Sequence, residues 1–142
     1  MRALLDVNVL LALFDGEHAH HQRARAWWSE HRDAGWASCP LTENGFIRII
    51  SNAGYPRPLA VADAIFVLRA QAALPGHAFW PDDISALDAA FFDVDRILGP
   101  RQLTDIYLLA LAMKHGGRLA SFDQAIPAGA VRGVDRRHLV II

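Results

Sequence analysis

The sequence has one cysteine, Cys39, so no intramolecular disulfide can form, and a reducing compartment is expected. That residue reads as a small buried side chain near the end of a strand. No apolar run approaches the roughly 18 residues that a membrane span needs. Met1-Arg2 followed by Ala3-Leu4-Leu5 has the look of a secretory leader, but Asp6 and Asn8 interrupt the stretch and no small-residue cleavage site follows. The expected location is therefore the cytoplasm, with no membrane partner. Excess charge is also missing, since the formal net charge is −1. By bulk count this is not a strongly basic nucleic-acid binder. If four carboxylates were committed to a metal, though, the rest of the chain would be net basic. Internal repeats, low-complexity tracts and linkers are absent. The His-Ala-His-His run at 18–21 comes with no ligand set of zinc type and no H-E-x-x-H, so it reads as a solvated helix face.

What is present is a core. Hydrophobic residues make up 53% of the 142 residues and charged residues 20%, which suits one folded domain over 1–142. Short apolar segments alternate with helical patterns. Strands are expected at 2–6, 35–39, 77–80, 118–122 and 138–142. Helices are expected at 7–14, 18–32, 41–50, 59–74, 85–92 and 104–115. Pro40 stands where helix starts favour proline, Thr104 reads as a cap, and Gly116-Gly117 as a stop. Short, wholly apolar strands between helices predict a parallel sheet covered on both faces, a three-layer α/β/α sandwich.

The acids acquire meaning on that scheme. Asp6 lies at the carboxyl end of the first strand and Asp123 directly after the fourth. Glu43 and Asp105 lie in the first turns of helices that follow strands. Crossover helices run back against the strands, so all four positions fall on the carboxyl edge of the sheet, where open α/β sheets bind ligands. Singly, each acid has a plain structural reason. Asp6 can cap a helix, Glu43 and Asp105 can favour helix dipoles, and Asp123 can serve a turn. Together they form a repulsive cluster that a divalent cation with oxygen ligands would relieve. A cation so held can polarise a phosphate and generate hydroxide, which points to phosphodiester hydrolysis.

Three segments carry a family likeness: LLDVNVLLALF at 4–14, LTENGFIRII at 41–50 and LTDIYLLALAMKHGGRLASFD at 103–123. In this order and spacing they resemble PIN-domain ribonucleases, and within them the VapC-type toxins of bacterial toxin–antitoxin pairs. FWPDD at 79–83 is similar to one branch of these toxins. The resemblance implies an acidic quartet of Asp6, Glu43, Asp105 and Asp123, all four as candidate metal ligands and catalytic residues. It further implies Mg²⁺ or Mn²⁺ as cofactor, single-stranded or loop RNA as substrate, a homodimer, and a cognate VapB-like antitoxin. Asn8 matches the family's Asn, which would orient Asp6 or a water. Ser121 stands where the family usually has Thr and keeps the hydroxyl, and Thr104 precedes the third acid. Ala125-Ile126 replaces an aromatic often seen after the last acid.

Glu43 either completes the metal's shell or acts as general base on the attacking water. Arg48 corresponds to the family's Arg and, with Arg101, is a candidate for contacting RNA phosphates. Arg57 and Arg69 are weaker candidates. Trp80 and Tyr55 are able to stack on bases, though core packing suits Trp80 better. Trp27 and Trp28 cannot both face one core, so one is expected at an interface, and the helical segments within 41–74 offer another groove for an antitoxin. Two rivals remain. A haloacid-dehalogenase-like phosphatase would carry D-x-D after the first strand, whereas this chain has Asp6-Val7-Asn8. A non-catalytic binding domain of the same fold would show no magnesium-dependent RNA cleavage.

Overall fold

The computed structural model describes residues 1–142. Three- and four-residue apolar segments form a five-stranded sheet: β1 (Ala3–Leu5), β2 (Trp36–Ser38), β3 (His77–Phe79), β4 (Arg118–Ser121) and β5 (Leu139–Ile141). Their order across the sheet is β3-β2-β1-β4-β5, and every pairing is parallel. The helices are α1 (Val7–Phe14), α2 (His21–His31), α3 (Pro40–Ile50), α4 (Val61–Ala72) and α5 (Leu103–Lys114). From β1 the chain first builds outward through β2 and β3, then crosses back to lay β4 on the other side of β1. The topological switch point therefore lies between β1 and β4, where a crevice opens at the carboxyl ends of the strands.

Side-chain alternation along the short strands divides the core in two. Leu4, Ala37 and Leu119 face α5, packing with Ile106, Leu109 and Ala112. Ala3, Leu5, Trp36 and Ala120 face the opposite way, against Val9 and Leu10 of α1, Phe46 and Ile50 of α3, and Leu68 of α4. Burying both faces explains why the strands read as continuous apolar runs. The three-layer expectation holds. Gly117 lets the chain enter β4, because a Cβ there would lie 2.4 Å from Trp80 Cη2 and 2.6 Å from the Arg2 carbonyl oxygen. Trp80 itself is buried and stacks on His115 at 5.1 Å, as core packing requires.

Four local expectations are corrected. Residues 85–92 form turns and no helix. Ser85 Oγ accepts from the Leu87 amide and Asp88 Oδ1 from the Ala90 amide, so local side-chain bonds displace the helical ladder. Phe92 then bridges to Val131. Thr104 is exposed and is not a cap. A 3-10 turn, Pro100–Gln102, feeds directly into α5, and the Leu103 amide bonds back to the Pro100 carbonyl. Helix α2 begins only at His21, so His18 and His20 sit in the preceding turn, where His18 Nδ1 accepts from the His20 amide. Trp27 and Trp28 are both half-buried and both pack against the same half of the core.

Candidate active site

Asp6 follows β1 directly and is only 5% exposed. Its Oδ1 accepts from the Val7 amide at 2.7 Å, which caps α1, and its Oδ2 accepts from Ser121 Oγ at 2.8 Å. Ser121 ends β4 and is fully buried, and its Oγ also accepts from the Asp123 amide at 3.1 Å. One hydroxyl thus ties the carboxyl ends of β1 and β4 together across the switch point. Asp123 sits just above it, its Oδ1 held by the Ala125 amide at 2.7 Å. Asp105, the third residue of α5, approaches from the layer on the other side.

The electrostatics show that these three aspartates share one neighbourhood. Burial raises the Asp6 carboxyl above its ordinary value, against the Ser121 and Val7 hydrogen bonds that lower it, and the Asp123 charge raises it further. Burial, then the charges of Asp6 and Asp123, push Asp105 up to about 6. No three His, Cys, Asp or Glu side chains close on a common point to ligating distance. Repulsion between like charges of this kind is what a cation placed among them would relieve. Every donor here is an oxygen, and such a set suits a hard cation such as Mg²⁺.

Glu43 is placed differently. It lies in the first turn of α3, above the carboxyl end of β2, and is half-buried. Its Oε1 accepts from Ser38 Oγ at 2.6 Å, and His77 Nε2 lies 2.8 Å from the same hydroxyl. It is absent from the charges that shift Asp6 and Asp105. The fold therefore brings three of the four expected acids into mutual electrostatic contact and seats the fourth one strand further along. Asn8 is exposed, and both Asp6 oxygens have partners other than its amide. Arg101 is exposed in the turn that leads into α5, one helical turn before Asp105. Arg48 lies in the last turn of α3, beside the 52–56 loop and at the opposite end of the helix from Glu43.

Sequence reasoning missed three groups near this edge. Ser38 and His77 hold Glu43. Arg23 lies over the Phe122 ring at 5.6 Å, and His20 packs against it at 5.0 Å, so α2 delivers a cation to the residue that precedes Asp123. A polar residue ending an otherwise apolar strand was the available signal for Ser38. None marked Arg23, because its proximity arises only from packing.

Fold and site together define a doubly wound α/β domain with an all-oxygen acidic centre at its switch point. The chain belongs to the PIN domain family, whose model matches residues 3–131. It is 50% identical over 142 residues to Ribonuclease VapC44 of Mycobacterium tuberculosis, covering the whole of both chains. To Ribonuclease VapC39 of the same organism it is 43% identical over 135 residues, covering 94% of this chain and 97% of the relative. A crystal structure of M. tuberculosis VapC20, described as a sarcin-ricin loop cleaving toxin, has the same fold. Its TM-score is 0.62 at 14% identity, covering 93% of this chain and 98% of that one.

Proposed function

We propose that this chain is a metal-dependent endoribonuclease acting as the toxin of a toxin–antitoxin pair. The observation that carries the proposal is the gathering of Asp6, Asp105 and Asp123 at the switch point, where the Asp123 charge raises the Asp6 carboxyl and the charges of Asp6 and Asp123 raise that of Asp105. Family membership and ribonuclease relatives supply the reaction class. The phosphatase alternative gains nothing, since Asn8 occupies the place of its second acid.

Asp6, Asp105 and Asp123 would hold Mg²⁺ or Mn²⁺, and the bound cation supplies charge stabilisation and an activated water. Ser121 holds the Asp6 carboxylate and the Asp123 backbone amide, and the Ala125 amide holds the Asp123 carboxylate, so both carboxylates are oriented before RNA arrives. Glu43, one strand away and outside their charge coupling, suits the general-base role better than direct ligation. In that role it accepts the proton of a water attacking phosphorus in line. The P–O3′ bond breaks and the departing O3′ takes up a proton from solvent water, leaving 5′-phosphate and 3′-hydroxyl ends. Arg101 and Arg23 flank the edge as phosphate contacts, whereas Arg48 stands too far along its helix to share that task with Glu43.

An apolar groove lined by Leu13, Phe14, Trp28 and Val67, with Arg25 at its side, supports the expectation of a VapB-like antitoxin. A homodimer is part of the same proposal. No helix is long and apolar enough to cross a membrane, and a cytoplasmic site of action is proposed. The test is cleavage of RNA by purified protein with magnesium, with EDTA, and with Asp6→Asn. Asn keeps the helix cap, so D6N should fold normally and lose activity by at least about a hundredfold. Wild-type activity in folded D6N would reject the proposal.

A further inference from the structure

The proton count along Glu43–Ser38–His77 is informative. A serine hydroxyl has one hydrogen. Ser38 Oγ lies 2.6 Å from Glu43 Oε1, within the range of a charge-assisted O–H···O⁻ bond, so that hydrogen goes to the carboxylate. With that hydrogen on the carboxylate, the 2.8 Å contact between Ser38 Oγ and His77 Nε2 is a hydrogen bond in the tautomer that carries Nε2–H, which donates into a serine lone pair. His77 is anchored in turn. It opens β3 in register with Trp36, and its ring packs on the Trp36 indole at 4.4 Å. The FWPDD segment that follows secures the same helix from its other side, because Asp82 Oδ2 accepts from the Leu41 amide in the first turn of α3. An otherwise mobile glutamate side chain is thus held by a chain of donors running from an edge strand.

We propose that His77, acting through Ser38, is a positioning residue that fixes the Glu43 carboxylate for catalysis. Oε1 is engaged by Ser38, which leaves Oε2 to take a proton. The inference rests on the nuclease reading and deepens it.

The test measures steady-state RNA cleavage in magnesium with the full-length chain. His77→Phe keeps the ring and removes the donor, and kcat should fall about tenfold with KM within about twofold of wild type. His77→Gln places an amide N–H near the same point and should recover most of the loss. Ser38→Ala should match H77F, Ser38→Thr should recover activity, and H77F should cost nothing further in the S38A background. Wild-type kcat in H77F, or losses that multiply in the double variant, would overturn the inference. If H77F melts early, the S38A and S38T pair decides alone, and wild-type kcat in S38A overturns it. D6N runs in parallel. If D6N is inactive while H77F and S38A are fully active, only the positioning role fails, whereas undiminished cleavage by D6N removes both readings.

Discussion

Asp105→Asn should make the metal-free protein more stable while destroying its activity. In the folded chain the Asp105 carboxyl is raised from an ordinary 3.8 to about 6, by burial first and then by the charges of Asp6 and Asp123. A carboxyl whose folded pKa exceeds its unfolded value takes up a proton on folding. Its charged form therefore opposes folding: no penalty exists below pH 3.8, it grows between there and pH 6, and it is complete above. Taken at face value, a shift of roughly two units corresponds to about 3 kcal/mol. Asp105 is only half-buried, so solvent screening reduces this to about 1–2 kcal/mol. Loss of a favourable charge near the N-terminus of α5 returns about 0.5 kcal/mol of that. The net gain at pH 7.5 in EDTA is about 1 kcal/mol, a rise in Tm of about 2–4 °C. At pH 5 the gain should be only partly lost, and it should vanish below pH 3.8, where the carboxyl is protonated in the folded and the unfolded chain alike. Magnesium should raise the Tm of wild type and leave D105N nearly unmoved. A D105N melting point at or below wild type at pH 7.5 would refute the claim that these carboxylates repel one another in the folded state.

Ser121→Ala removes the hydroxyl joining Asp6 to the Asp123 amide, and the urea midpoint should report a loss of about 1–2 kcal/mol. Ser121→Thr should restore it, since the hydroxyl returns. Gly45→Ala would place a Cβ 2.6 Å from Val7 Cγ2 where α1 crosses α3. The clash outweighs the gain in helix propensity, for a net loss of about 1–2 kcal/mol by denaturant titration. Val7→Ala in the same chain should recover at least half of it. Burial pushes the Cys39 thiol up to about 11, so a thiol-exchange reagent at pH 8 should label it only at the rate at which the chain unfolds.

The architecture was legible because its causes are local and periodic. Ala3-Leu4-Leu5 and Leu119-Ala120 are apolar on consecutive positions, which only a strand covered on both faces requires, and each was bounded by helical patterns. Pro40 begins α3, and Gly116, with φ of 69°, ends the turn after α5. The failures also have a local cause. Ser85 and Asp88 sit at spacings that a helix tolerates, yet their side chains bond to their own backbone two residues on. Apolar periodicity cannot weigh that competition. Thr104 failed as a cap because the preceding residues were already turning, and a 3-10 entry needs no side-chain acceptor.

The site was legible only to the resolution of topology. Knowing that an acid follows a strand or opens a crossover helix places it on an edge, and the edge is where Asp6, Asp105, Asp123 and Glu43 all lie. Topology does not say which way a side chain turns once it is there. Asp6 and Asp123 flank the switch point and share Ser121, so their separation follows from the β1–β4 pairing alone. Glu43 stands over β2, where Ser38 offers it a donor that no other acid uses. A carboxylate facing three others lowers its energy by turning to that donor. On the proposed function, the same repulsion would favour a cation among the aspartates and leave Glu43 as the acid free to act as a base. Ser38 and His77 are what set Glu43 apart from the aspartates, and neither is an acid that marks the site in the sequence.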